Sequence, residues 1–400
     1  MSIVILDREG SEKRLYFDWL KEFKENIYVL GYKETINSFR DKHAIGFPEF
    51  EENPDVENYI LYINSTDPIS HVFSFEEGSV IRSAVIRKNL NLAGQTVESA
   101  LQFRDKLVMK SIMQNANVPV PDFEAYHHIM DLLCFIKQHG FPILLKPRDK
   151  WASKGVVKVD SYETLKEYLK KNKLENYMME EYVEGNEYHV DGVVVEGRIK
   201  FICASQYLNN CLKLYENNEG LGSIMLNRHS ELSQRLFSFA DKVLSSMLCP
   251  SFTPFHMEVF VDDKTQQMKL CEIGSRSVGG DYTKVIEKAY GINLDKYYIL
   301  SELGLPLPDI KDNKALYGKV WIPPQKGYIS NGIPIINDFG AYEQENSDYK
   351  NMYFNGLTKQ MDYLITVSFT GKNEEELIKN ALSIKKYFLD NIIWRQPDLN

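Results

Sequence analysis

No run of apolar residues in the 400-residue chain is long enough to span a bilayer, and no two cysteines stand as C-x-x-C. The five cysteines, Cys134, Cys203, Cys211, Cys249 and Cys271, form an odd set. That argues against a disulfide framework or a zinc site, and each reads as a small buried hydrophobe. Positive charge is also short: 47 Lys and Arg stand against 56 Asp and Glu, a net charge of -9. Long-range attraction to nucleic acid or to an anionic membrane is therefore not expected, although a locally basic pocket is compatible with an acidic surface. The glycine spacings of a Walker A loop and of a dinucleotide fingerprint are missing, as are internal repeats and low-complexity tracts. The first residues carry no basic n-region or apolar core, so a cytoplasmic protein is expected. What remains is ordinary globular composition, 44% hydrophobic and 26% charged, in a chain long enough for two to three lobes.

Short β-rich runs at residues 3–6, 27–30 and 59–63 alternate with polar stretches such as the helical-looking 12–24, which reads as an α/β lobe over residues 1–95. Thr96 then stands as a cap, with Val97, Leu101, Arg104, Val108 and Ile112 at helical spacing. The pattern predicts one linker helix over 96–118, ending before Val118-Pro119-Val120-Pro121. Residues 119–183 read as a small lobe: a helix closing at Gly140, strands at 142–146, 155–159 and 177–181, and a helix capped by Ser161. A larger, strand-rich lobe follows over 184–305, with a strand at 187–195, a helix near 230–248 and a hairpin at 255–273. The Pro306-Leu307-Pro308 segment marks a boundary before a last lobe, 306–400, with a strand at 363–369 and a helix burying Leu377, Ala381, Ile384 and Phe388.

The most informative chemical signal is Glu258 and Glu272. If the hairpin turn is centred on Thr265, residues whose numbers sum to about 530 face each other, so these carboxylates become cross-strand neighbours roughly 5 Å apart at Cβ. Like charges so placed ask for a cation, and hard oxygen donors favour Mg²⁺; two solvated glutamates on an exposed face are the plain alternative. A second signal is Lys146, which ends an apolar strand and is followed by the small-residue loop through Ser153, Lys154 and Gly155. Such a loop can aim N–H groups at phosphate oxygens, while a hairpin with an exposed basic turn is equally compatible with it. Third, the extended segment with Glu180, Glu181 and Val183 can offer backbone groups to an adenine edge, and Glu187 a carboxylate to ribose hydroxyls.

In this order the three motifs resemble the ATP-grasp superfamily, in which two lobes close on ATP. The likeness begins at Arg104-Asp105-Lys106 and runs through Gly280. It implies an α/β (α+β ATP-grasp) fold with a Rossmann-like N-terminal lobe, a small lid lobe, a larger core lobe with an antiparallel sheet, and a C-terminal α/β extension. By resemblance, Lys106 and Lys146 contact the nucleotide phosphates and Ser153 to Gly155 cover them. Glu180, Glu181 and Val183 form the adenine hinge, Glu187 binds ribose, and Glu258 and Glu272 hold Mg²⁺, for which Mn²⁺ can substitute. Arg276 then stabilises the transferring phosphoryl group, alongside Lys146. Arg276-Ser277-Val278-Gly279-Gly280 is similar to a stretch of the carboxylate-amine ligases, including L-amino acid ligases. The implied activity is ATP-dependent carbon–nitrogen ligation through an acyl phosphate, on a small carboxylate and an amine, with no nucleic-acid or membrane partner. Many members form homodimers through the N-terminal lobe. Lys213, Arg228, His229, His256, Gly279 and Gly280 are candidates for the substrate side. One departure stands out: Gly274 occupies the place where many members carry an Asn metal ligand, which leaves Ser275, Asp281 or water to replace it, or a weakened site. A bicarbonate-using carboxylase of the same fold and an ATP-binding module with little catalysis are the rival readings.

Overall fold

The computed structural model describes residues 1–11, 13–209, 220–311, 315–350, 352–356 and 363–396. Ser2–Asp7, buried at every position, is an inner strand of a parallel sheet whose spatial order is Ala44–Phe47, Asn26–Tyr32, Ser2–Asp7, Ile69–Ser74. Continuous apolar runs of this kind are what a sheet covered on both faces requires. One expected strand is a helix instead. Residues 59–63 lie inside helix Asp55–Thr66, where Val56, Ile60 and Ile63 fall on one buried face while Leu61 and Tyr62 point outward. The 3.6-residue period outweighed the β propensity of Tyr and Ile. Conversely, the helical stretch expected at 12–24 shrinks to the single turn Tyr16–Trp19; Glu12 lies outside the described residues.

The linker expected as one helix is two, Val97–Gln102 and Lys106–Asn115. Thr96 caps the first by accepting from the Ser99 N–H, and Asp105 restarts the second by accepting from the N–H groups of Leu107 and Val108. A carboxylate that satisfies two otherwise orphaned donors makes a new helix start cheaper than a continuous helix. The break sets Arg104 and Lys106 side by side at its corner.

The small lobe is an antiparallel sheet in the order Phe123–Ala125, Tyr177–Glu181, Ile143–Pro147, Val157–Val159, backed by helices Ile129–His139 and Tyr162–Lys171. The large sheet is antiparallel throughout its eight strands. Its order is Met268–Gly274, Thr253–Val261, Asn186–Val195, Arg198–Tyr207, Gly222–Met225, Leu316–Ile322, Ile365–Gly371 and Ala341–Asn346. The boundary expected near residue 306 therefore does not divide the sheet: Leu316–Ile322 pairs directly with Gly222–Met225. The C-terminal part still has its own apolar core, where Leu377, Ala381, Ile384 and Phe388 of helix Glu374–Asn391 are all buried. The parallel N-terminal sheet and helices Tyr282–Tyr290 and Leu294–Glu302 share one core, which fastens the N-terminal lobe to the large sheet. Among the described residues no helix is long and apolar enough to cross a membrane. Cys203 and Cys271 are buried as expected, but Cys134 is exposed; Cys211 lies outside the described residues.

Candidate active site

Where the three layers meet, a cavity of about 610 Å³ opens between the C-terminal ends of the parallel strands, the small lobe and the face of the large sheet. Ligands of open α/β sheets are held at strand C-termini, and here the walls also carry converging charge.

The hairpin Thr253–Val261 with Met268–Gly274 supplies the acidic wall. His256 faces Gly274, Met257 faces Ile273 and Glu258 faces Glu272, the expected sum of 530; past Glu258 a bulge shifts the register, so Val259 meets Leu270. Both glutamates line the cavity. Ligand atoms of Glu187, Glu258 and Cys271 lie within 4.8 Å of one another. Glu272 is ion-paired with Lys106 at 2.9 Å. Burial would raise the Glu272 carboxyl, but Lys106, Lys146 and Arg276 outweigh it and hold it at about 2. The carboxylate is thus ionised throughout the physiological range; within the cluster, the carboxylates of Glu187 and Glu258 are the hard oxygen donors that a divalent ion of the Mg²⁺ type takes, with Glu272 facing Glu258 across the hairpin. Burial pushes the Cys271 thiol well up, which keeps it a thiol and not a nucleophile.

Opposite stand the cations. Lys146 is the penultimate residue of the strand Ile143–Pro147 and is held 2.5 Å from Glu180, whose other oxygen meets Lys110 at 3.1 Å. Burial opposes its charge, but Glu180 more than compensates and raises the Lys146 pKa above its ordinary value. Glu180 is correspondingly pulled down: burial acts upward, and the two lysines overcome it. Lys106 donates to the Lys150 carbonyl at 2.7 Å, bringing the loop after Lys146 over the cavity. In that loop Ala152, Ser153 and Gly155 take left-handed backbone. Ser153 and Lys154 line the cavity, and Gly155 lies just outside it, where a Cβ would stand 2.9 Å from the Tyr177 hydroxyl. Arg276 lines the cavity, donating from Nε to Glu77 at 3.0 Å and from Nη1 to the Ser277 carbonyl at 2.9 Å.

Several expected residues lie elsewhere. Glu180 is mid-sheet, facing Phe123 on one side and Leu144 on the other, with its carboxylate buried between two lysines. It steadies Lys146 and does not line the cavity. Glu181 turns to Lys269 at 2.8 Å, and neither it nor Val183 lines the cavity. Glu187 does, from the next strand. Arg228 sits in the turn before helix Glu231–Ser245 with its guanidinium 5.6 Å above the Phe201 ring, and His229 beside it is exposed. Neither borders the cavity, because the chain has already left the sheet at Met225. Lys213 lies outside the described residues. Gly279 and Gly280 do line it, and Gly280 accepts from the Trp321 indole at 3.1 Å.

His256 lines the cavity and joins a buried chain. Its Nδ1 donates to Asp191 at 2.7 Å and its Nε2 is 3.4 Å from Glu258, while His189 Nδ1 donates to the other Asp191 oxygen at 2.5 Å. Burial alone would lower the His256 pKa, but Asp191 lifts it to about 9, so the imidazolium is a fixed positive charge beside Glu258. Gly274 has a local reason too. A Cβ there would stand 3.3 Å from Cγ of Arg276, so a larger residue would press on that arginine. Of the replacements considered for the missing Asn, Ser275 is turned to Gln95 and does not line the cavity, while Asp281 lines it paired to Lys13.

The sequence reading overlooked Glu76 and Glu77, which follow the C-terminal end of strand Ile69–Ser74, and Arg14, which binds Asp295 at 2.7 Å and also Glu76. The available signal was positional: charged residues just past a parallel strand. Burial of the Glu76 carboxyl, offset only in part by Arg14, pushes it up to about 8.

Residues 103–252 match the family model described as an ATP-grasp domain. An L-arginine-specific L-amino acid ligase of Bacillus subtilis is 25% identical over 352 residues, spanning 84% of this chain and 83% of that protein. A D-alanine--D-alanine ligase of a Thermoanaerobacter species is 31% identical over 121 residues, 29% of this chain and 33% of its own. Among solved structures, an L-amino acid ligase from Bacillus licheniformis superposes with a TM-score of 0.77 at 17% identity, covering 99% of both chains.

Proposed function

We propose that the chain is an ATP-grasp ligase that joins the carboxylate of one small metabolite, an amino acid or peptide, to the amine of another through an acyl phosphate. The observation that carries the reading is the convergence of Lys106, Lys146, Arg276, Glu187, Glu258 and Glu272 on one cavity.

In this reading ATP lies with its phosphates toward Lys106, Lys146 and the loop at Ser153 to Gly155 and its ribose toward Glu187; its base would reach past the cavity lining toward the backbone of the segment from Glu180 through Glu181 to Val183, with the Glu180 side chain turned away onto its two lysines. Glu258 and Glu272 are the residues that would hold Mg²⁺, or Mn²⁺ in its place, and the ion would supply charge neutralisation at the β and γ phosphates. A carboxylate oxygen attacks the γ phosphorus, and the bond to the β-phosphate oxygen breaks to leave ADP. The amine nitrogen then attacks the acyl carbon, the carbon–oxygen bond to phosphate breaks, and the ammonium proton is lost. Arg276, fixed by Glu77, and Lys146, fixed by Glu180, oppose the charge that builds on the transferring group without reorganising. His256, Gly279 and Gly280 border the remaining space and are the substrate-side residues of this reading.

The test is ADP and phosphate release with ATP and Mg²⁺ against amino acids singly and in pairs, L-arginine included, with bicarbonate as a separate arm. Release that requires a pair, with an equal amount of amide product and at least 100-fold loss in Glu272→Ala, is the expected result. Release with bicarbonate alone would transfer the protein to carboxylation, and ATP binding without turnover would overturn the ligase reading.

A further inference from the structure

Four contacts fasten the loop over the cavity to elements outside the small lobe, and three of them involve Arg104 or the ring it touches. Arg104 stands at the corner between helices Val97–Gln102 and Lys106–Asn115 and is itself buried. Its guanidinium donates to the Asp149 carbonyl and lies 5.1 Å above the Trp151 ring. The same ring receives Arg8, from the end of the first parallel strand, at 5.0 Å. Lys154 comes from within the loop at 5.0 Å, and Lys106 holds the Lys150 carbonyl. On its other side Arg104 Nη1 is 3.4 Å from Glu77 Oε1, while Glu77 Oε2 accepts from Arg276 Nε at 3.0 Å. One carboxylate thus joins the arginine that touches the loop to the arginine that faces the transferring group.

We propose that Arg104 is a positioning residue for the transfer step: through Trp151 and Asp149 it holds the loop down, and through Glu77 it sets Arg276, so closing the loop and aiming Arg276 are one event. The inference rests on the ligase reading for the role of Arg276, but the physical linkage it describes is independent of the substrate. A planar guanidinium can stack on an indole and make directional hydrogen bonds at its edge at the same time, which an ammonium cannot. With the linkage intact, Arg276 is aligned only when the loop excludes water. With it cut, phosphoryl transfer slows, and any acyl phosphate that forms meets water as often as amine.

The test uses the full-length protein and the variants Arg104→Met, Arg104→Lys and Glu77→Gln, each first checked for a native circular dichroism spectrum. Trp151 emission is obtained by difference against Trp151→Phe, with and without ATP and Mg²⁺. Arg104→Met is expected to shift Trp151 emission to the red, to lower kcat at least 10-fold with KM for ATP changed less than 3-fold, and to drop amide formed per ADP well below one. Arg104→Lys should recover part of the emission and little of the stoichiometry. Glu77→Gln should leave the emission in place while lowering kcat, since it cuts the linkage on the other side. In a folded Arg104→Met, wild-type stoichiometry and kcat, or a loss of kcat with Trp151 emission unchanged, would overturn the proposal, as would wild-type kcat in a folded Glu77→Gln. Should the wild type ligate nothing while its Trp151 emission responds to ATP and that response vanishes in Arg104→Met, the linkage stands and the ligase reading falls.

Discussion

Glu180 shows what a buried charge costs when its partners are taken away. Its carboxylate is wholly inaccessible and answers two lysines, so Glu180→Gln strands Lys110 and Lys146 in a low-dielectric interior. Breaking such a set from one side costs about 3–5 kcal/mol, and urea denaturation should read a loss of that order together with weakened ATP binding. Glu302 is a different case, since among the described residues no hydrogen-bond partner meets its buried Oε2. Burial raises its pKa from an ordinary 4.5 to about 7, against the pull of Tyr298 and Arg87. The folded state therefore holds a proton that the unfolded chain has released, and this group's contribution to stability is lost as pH rises from about 4.5 through about 7. Glu302→Gln, which titrates nowhere, should flatten that part of the stability profile, visible as a smaller fall in Tm between pH 5 and pH 8. Gly274→Asn probes the crowding beside Arg276. It should lower kcat while leaving ATP affinity near wild type, and an unchanged kcat would show that the arginine can yield.

At the scale of elements, the break in the linker is a designed corner, and Asp105 makes it. Besides capping the second helix, Asp105 accepts from Arg148 at 3.1 Å and 2.5 Å, tying the helix start to the loop after Lys146. Asp105→Ala should cost about 1–2 kcal/mol in thermal or urea denaturation from the cap alone. The hairpin, the Ser161-capped helix and the buried face of helix Glu374–Asn391 were legible because each is written locally, in a turn, a cap or a 3.6-residue stripe. Glu258 facing Glu272 followed from the turn's centre alone, whereas the bulge after Glu258 left no mark in residue type. Helix Asp55–Thr66 was misread because Tyr59, Ile60, Tyr62 and Ile63 favour strands one by one, and only their spacing to Val56 reveals the buried face. Glu77, Arg104 and Trp151 were silent as a group, since they come from three separate segments and meet only in three dimensions.

For the molecule as a whole, the cavity draws its walls from the N-terminal lobe, the small lobe and the large sheet, so no one of them holds a complete site. The eight-stranded sheet also runs through the boundary that the prolines near residue 306 suggest. A chain ended after residue 305 would lose the strand Leu316–Ile322 and lay bare the backbone edge of Gly222–Met225, the short strand that carries Ser223 into the cavity wall. An unpaired edge of that kind is a template for another chain, and such a fragment should run as aggregates in size-exclusion chromatography instead of as a smaller active enzyme. In evolutionary terms the last hundred residues cannot be exchanged between relatives like a detachable cassette. A transplanted C-terminal part must bring an outer strand whose register matches Gly222–Met225, and recombination between distant members is confined to crossovers that keep that seam closed.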